Sequence, residues 1–261
     1  MKGVGFFIGG LLLDVVGFQP ALWLMAGLLA CVLAAGLALL PQNLGKSKPS
    51  KSIDEFFGKS RGVNLLAGAR VFMFGARDVW FVVGVPVFLY TFDWTFLQVG
   101  TFLAVWTIAY GCVQAAAPRL VERSRDGMSK EVPAAQIWSI ILVAIPVALS
   151  VLVGLNYGPR PDLVIVIGLG LFGVAFAINS SLHSYLILAY ARPAKTAEDV
   201  GFYYAANATG RLAGTLLSGL LYQISGLTGC LIGSAVMLMA CLLISMALPV
   251  NTDQTAMVRR T

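Results

Sequence analysis

Apolar runs of the length that carries a helix across a bilayer, about 17–25 residues, recur along this chain with short polar breaks between them. They predict eight helical spans, at residues 3–17, 21–41, 64–90, 96–117, 134–154, 163–190, 201–224 and 228–249. The first is short for a complete crossing. The polar breaks alternate in character. Lys2, then Lys46, Lys48, Lys51, Lys59 and Arg61, then Arg119, Arg123, Arg125 and Lys130, then Arg192 and Lys195, then Arg259 and Arg260 fall on one side of the predicted bundle. The opposite breaks, around 18–20, 91–95, 155–162 and 225–227, contain only Arg160. Cytoplasmic loops of membrane proteins carry the excess of Lys and Arg, so both ends of the chain and the linker over 42–62 are expected in the cytoplasm.

A second pattern lies within the first. Laying residues 1–25 over 210–234 places Gly5, Gly10 and Gly17 on Gly214, Gly219 and Gly226, Lys2 on Arg211, and Leu11 and Leu12 on Leu220 and Leu221. Each copy continues into a second apolar helix ending near Pro41 or Pro249. Shared glycine composition of membrane helices is the alternative explanation. If the pattern is a repeat, the second copy follows four spans and the first follows none. The interval from 64 to 210 then implies about 146 absent residues and a parent of two six-helix halves, as in transporters built from parallel repeats. The expected organisation is residues 1–41 as the last two helices of an N-terminal half, 42–63 as a basic cytoplasmic linker, 64–249 as a six-helix C-terminal half and 250–261 as a cytoplasmic tail.

Composition agrees with the spans: 58% of the 261 residues are hydrophobic and only 11% charged, and mean hydropathy is +0.84. Soluble domains carry about 25% charged residues, so the chain is expected to be a polytopic all-α membrane protein in contact with the lipid bilayer. The net charge of +6 does not point to nucleic acid, because the basic residues sit in short loops rather than on a basic domain. Cys31, Cys112, Cys230 and Cys241 lie in apolar segments without CxxC or Cys/His spacing and read as buried thiols, with capture of a soft metal or trivalent arsenic as the alternative. Residues 1–17 imitate a signal peptide but lack a convincing small-residue cleavage site, so a helix is expected there.

Against this apolar background a few polar residues stand out. Arg70, Arg77 and Arg211 lie inside the spans. A guanidinium stays charged there at a cost of about 2.5–3.5 kcal/mol even on the lenient insertion scale, so it normally faces a protein interior or an aqueous cavity. Arg70 and Arg77 are seven residues apart, two helical turns, and share a face; counted from Asn64 they lie roughly 9 Å and 20 Å deep. Asp78 is either an ion-pair partner for an arginine on a neighbouring helix or a carrier of a coupling proton. On the seventh span Tyr204, Asn207 and Arg211 fall on one face, and Gly210, Gly214 and Gly219 suit close helix approach. Asn179 and His183, at i and i+4 on the sixth span, offer a hydrogen-bond face; His183 is a proton carrier, a substrate donor or an interhelical hydrogen-bond partner. Tyr110 and Gln114 repeat that spacing on the fourth span. The three arginines with Tyr204, Asn207, Asn179 and Gln114 are the predicted substrate-binding set, with Asp78 and His183 as coupling groups. No Walker motif, GxSxG elbow, pair of catalytic carboxylates or metal-ligand cluster occurs, so neither an enzyme nor a cofactor is expected.

The loop PRLVERSRDGMSK at 118–130 resembles the degenerate basic motif that major facilitator proteins carry between adjacent helices, through its basic residues and the Asp126-Gly127 turn. An ordinary positive-inside loop is the alternative. More specifically, FGARDVWFVVGVPVFLY at 74–90, NSSLHSYLILAY at 179–190 and VGFYYAANATGRLAGTLLSGLLYQ at 200–223 resemble the organoarsenical efflux permeases of the major facilitator superfamily, the ArsJ type. The resemblance runs over essentially the whole chain and corresponds to the last eight of twelve expected helices. It implies a major facilitator fold in the inner (plasma) membrane. It also implies export of 1-arseno-3-phosphoglycerate and a functional link to the glyceraldehyde-3-phosphate dehydrogenase that makes it, giving arsenate resistance. The residues themselves fit any small phosphorylated or carboxylated anion equally well, since bidentate guanidinium recognition does not distinguish them. A non-transporting fragment whose arginines are merely paired is the reading from a different class.

Overall fold

A computed structural model describes residues 2–39, 58–155 and 160–250. Most of the predicted 42–63 linker and all but the first residue of the predicted tail lie outside them. The described residues form α1 (Lys2–Val16), α2 (Phe18–Leu39), α3 (Arg61–Phe81), α4 (Gly84–Tyr90), α5 (Phe96–Leu120), α6 (Glu131–Gly154), α7 (Pro161–Tyr190) and α8 (Thr196–Met246), with a single 3-10 turn at Pro193–Lys195. Six helical stretches, Phe18–Leu39, Arg61–Tyr90, Phe96–Arg119, Glu131–Gly154, Pro161–Tyr190 and Thr196–Met246, are long and apolar enough to cross a membrane. The last is bent into two limbs, which raises the number to seven. The first predicted span is a helix of 15 residues, below that length.

Two departures from the predicted spans have local causes. The span predicted over 64–90 is broken between α3 and α4. Pro86 has no N–H to give the carbonyl of Val82, and its ring crowds that carbonyl. The freed N–H groups of Val83 and Gly84 both donate to Ser218 Oγ, at 3.2 Å each. Removing that oxygen leaves two donors unpaired, one buried and one part-buried, so Ser218→Ala is expected to cost about 2 kcal/mol, read as a lower thermal midpoint in detergent. An unchanged midpoint would mean that the break needs no cap.

The spans predicted over 201–224 and 228–249 are continuous by hydrogen bonding from Thr196 to Met246, but turn at Ser225 and Gly226. Gly226 has φ 60° and ψ −153°, a region open essentially to glycine alone. Past it the second limb folds back, with Cys230 Sγ 3.5 Å from the carbonyl of Ser218. Gly17, its counterpart in the predicted repeat, also has positive φ, 83°, and separates α1 from α2. The other paired glycines do not match in packing: a Cβ at Gly214 meets backbone and one at Gly5 meets nothing, whereas Gly10 is crowded and Gly219 is open.

The chain divides into two compact units. One holds the described residues of Met1–Phe57 together with Asp93–Ile108. There α5 begins with a capping box, Thr95 N–H donating to Gln98 Oε1 at 2.8 Å and Gln98 N–H to Thr95 Oγ1 at 3.2 Å. Gly10 and Gly100 let α1 and α5 touch backbone to backbone. Helix α2 buries only Ala21.

The second unit holds Gly58–Phe92 and the described residues of Ala109–Thr261. Here α3 lies against both limbs of α8, and α6 packs on α7 and α8. The α3–α8 crossing is made by Gly210 and Gly214, where an added Cβ would run into the backbone of Val71 and Gly75. One end of this unit is pinned by polar contacts. The Asp199 carboxylate takes Arg192 Nη2 at 2.7 Å and Lys59 Nζ at 3.5 Å, and Tyr190 Oη donates to the carbonyl of Pro249 at 2.7 Å. In the loop 121–130 of the same unit, Asp126 Oδ1 accepts the N–H groups of Met128 and Ser129, Gly127 turns with φ 67°, and the Arg123 guanidinium lies 4.0 Å from the Tyr185 ring. Cys230 and Cys241 are buried as expected, but Cys31 and Cys112 are exposed on the surfaces of α2 and α5.

Candidate functional site

The polar face of α3 carries Arg70, Phe74 and Arg77 at i, i+4 and i+7, a spacing that stacks side chains along one stripe. The stripe forms as predicted. The Phe74 ring lies under both guanidinia, 4.1 Å from that of Arg70 and 5.1 Å from that of Arg77. Asp78 sits one residue further round, which turns its carboxylate toward α8. All of these side chains, and their partners on α5, α7 and α8, belong to the second unit.

Arg70 is enclosed, with 3% of its surface exposed. One Nη donates to the carbonyl of Ser180 at 3.2 Å and to Ser180 Oγ at 3.1 Å, while its Nε is buried without a hydrogen-bond partner among the described residues. The Tyr203 ring on α8 also lies against the guanidinium, at 4.8 Å. No carboxylate among the described residues pairs with it. A charge so enclosed is normally paired, because desolvating it costs several kcal/mol.

Arg77 and Arg211 are treated differently. Asp78 Oδ1 accepts Arg77 Nε at 2.7 Å, and Asp78 Oδ2 accepts Arg211 Nε at 3.0 Å. One carboxylate, its side chain only 1% exposed, therefore bridges two guanidinia on two helices. Exposure rises outward from it, to 12% at Arg77 and 43% at Arg211. The bridge also explains a coincidence of depth. Counted from the observed helix starts at Arg61 and Thr196, Arg77 and Arg211 lie about 24 Å and 22 Å along their helices, each roughly halfway along a stretch of about 45 Å that ends at Tyr90 or at the Ser225–Gly226 turn.

The remaining predicted residues distribute around this centre. Tyr110 Oη and Gln114 Nε2 on α5 reach Ser180 Oγ at 3.4 Å and 3.5 Å, the oxygen that Arg70 also uses. Asn207 is half-buried with its Oδ1 unpartnered among the described residues, and Tyr204 is exposed with its ring edge against Tyr203. Asn179 is turned toward α6, donating to Ser139 Oγ at 3.1 Å and to Met73 Sδ at 3.5 Å. His183 is fully buried, and neither ring nitrogen has a hydrogen-bond partner among the described residues. The glycines divide: Gly210 and Gly214 bring α8 onto α3, whereas nothing lies within 4 Å of a Cβ at Gly219.

Sequence reasoning missed Ser180, the shared acceptor, and the aromatic walls Phe74, Phe176 and Tyr203. Phe176 stands 5.5 Å from the Arg77 guanidinium and 5.0 Å from the Phe74 ring. The signal available was spacing: Phe176, Ser180 and His183 follow at i, i+4 and i+7, a stripe on α7 to match the one on α3. Among the described residues there is no group of three or more His, Cys, Asp or Glu side chains placed to hold a metal ion. Three guanidinia against one carboxylate leave positive charge in excess, lined by aromatic faces and by hydroxyl and amide donors. Such a centre can take an oxyanion through forked, charge-assisted hydrogen bonds. Comparison with protein-family models, with curated proteins and with solved structures finds no match to this chain.

Proposed function

We propose that this chain is a secondary transporter of the major facilitator type that exports an anionic organoarsenical, 1-arseno-3-phosphoglycerate, from the cytoplasm across the plasma membrane. The observation that carries the anion reading is the excess of guanidinium over carboxylate at Arg70, Arg77, Asp78 and Arg211, within helices long and apolar enough to cross a membrane. A centre that had evolved only to hold helices together would be neutralised. The organoarsenical is supported by the resemblance of segments 74–90, 179–190 and 200–223. The phosphate and arsenate groups of such a substrate each present oxygens that a guanidinium fork receives in pairs. The excess of Lys and Arg in alternate loops supports a cytoplasmic position for both ends of the chain by the positive-inside rule.

The test is arsenic retained by arsenate-challenged cells that express this chain with a glyceraldehyde-3-phosphate dehydrogenase. Retention is expected to fall only when both proteins are present, and to return to the control level with Arg77→Ala. Equal retention with and without the chain would overturn the organoarsenical assignment. A fall that survives Arg77→Ala would remove the arginines from the site.

A further inference from the structure

Asp78 is the feature of the centre that anion binding alone does not explain. A site meant to attract an oxyanion holds a carboxylate of its own, buried, in the position between Arg77 and Arg211. Its two oxygens are shared one to each guanidinium, as two oxygens of a phosphate or carboxylate would be. The link to Arg211 is a single bond from Nε, and the Nη groups of Arg211 make no hydrogen bond among the described residues on a side chain 43% exposed. An arriving anion therefore has free donors to engage before it contests the bridge.

We propose that Asp78 is a built-in surrogate for the transported anion, occupying Arg77 and Arg211 when the carrier is empty and giving them up when it is loaded. The proposal rests on the anion-transport reading above. Its consequence follows from the cost of desolvated charge. An alternating-access carrier must return empty after each delivery, and two uncompensated guanidinia facing each other near the bilayer centre would hinder that return. With Asp78 between them the empty carrier has compensated arginines in both orientations and transports in one direction. Without it, only the loaded carrier is compensated, and transport becomes obligatory exchange.

The experiment uses the purified full chain in liposomes with radiolabelled 3-phosphoglycerate, a stable molecule bearing a phosphate and a carboxylate. Two fluxes are measured: net efflux into empty buffer, and exchange against unlabelled 3-phosphoglycerate outside. Asp78→Asn is expected to retain exchange while net efflux falls about tenfold or more, the ratio implied by one lost charge-assisted bond. Asp78→Glu, which keeps the carboxylate, should retain both. Equal loss of the two fluxes, or loss of neither, in Asp78→Asn overturns the surrogate role while leaving the anion site in place, provided Arg77→Ala abolishes exchange. Absence of both fluxes in the unmodified chain, or their survival in Arg77→Ala, overturns the anion reading and the surrogate with it.

Should Asp78→Asn fail to remain monodisperse, the unmodified chain supplies an independent readout. A hydrophobic carbodiimide modifies protonated carboxyl groups in apolar surroundings, and modification at Asp78 can be followed by mass spectrometry. Displacement predicts that 3-phosphoglycerate increases modification of Asp78 several-fold. Protection of Asp78 by the anion, or no change, contradicts displacement.

Discussion

Arg70→Met is expected to abolish 3-phosphoglycerate flux and at the same time to raise the thermal midpoint of the protein. The two effects have one cause. Arg70 is a guanidinium with 3% exposure whose described partners are a serine hydroxyl, a backbone carbonyl and two aromatic faces, with no carboxylate among them. Replacing buried ion pairs by apolar side chains of similar volume is often neutral or stabilising, by about 1–4 kcal/mol, and a buried guanidinium without a carboxylate partner has still less to repay its desolvation. On the anion-transport proposal the same change removes charge-assisted donors from the substrate, worth about 1.5–3 kcal/mol for each hydrogen bond to a charged group, or roughly 10–150-fold in affinity. Liposome flux and a thermal melt on one preparation measure both. Loss of stability together with flux would make Arg70 a structural residue, held by Ser180, Phe74 and Tyr203 for packing alone. Arg70→Lys is expected to restore little flux, because an ammonium cannot use the forked geometry.

Gly214→Leu is the second large effect, on folding rather than on transport. A Cβ at Gly214 would meet the carbonyl and Cα of Gly75, and a Cβ at Gly210 would meet the backbone of Val71. Both obstacles are main chain of a packed helix and cannot swing aside as a flexible side chain can. Overpacking commonly costs 1–3 kcal/mol; parting α3 from α8 also separates Arg211 from Asp78, so about 3 kcal/mol or more is expected, with little monodisperse protein recovered in detergent. Gly219→Leu is the control. It lies five residues further along the same helix with nothing within 4 Å of its would-be Cβ, and should be recovered normally with an unchanged midpoint. Equal tolerance of the two substitutions would show that the α3–α8 approach is not what holds this unit together.

How much of this was legible beforehand varies by element. The stripe of Arg70 and Arg77 follows from a spacing of seven; the aromatic rings around it were missed, although Phe176, Ser180 and His183 repeat that spacing on α7. The break inside 64–90 was signalled by Pro86, but reading for apolar length alone passed over it, because proline is tolerated in membrane helices when another group receives the freed N–H. That group, Ser218, lies far away in sequence and offers no local cue. Asp78 was recognised as either an ion-pair partner or a coupling group; its bridge to Arg211 across 133 positions became visible only when α3 and α8 were brought together. Asn179 and His183 share a face as predicted, yet Asn179 is used up between Ser139 and Met73.

By itself, then, the sequence determined which stretches are helices of membrane-crossing length, where most of them begin and end, and that a few permanent charges lie within them. Those properties depend on composition and on periods of a few residues, and the cost of exposing backbone or charge to an apolar medium applies to each segment separately. Tertiary structure decided which of the charges are compensated. Arg70, Arg77 and Arg211 are alike in sequence terms, each an arginine inside an apolar run. Only the glycine-mediated contact of α3 with α8 gives two of them a shared carboxylate and leaves the third with a serine and two rings. Ion pairing between helices depends on side chains approaching within a few ångströms, and the lateral arrangement of the helices sets that separation.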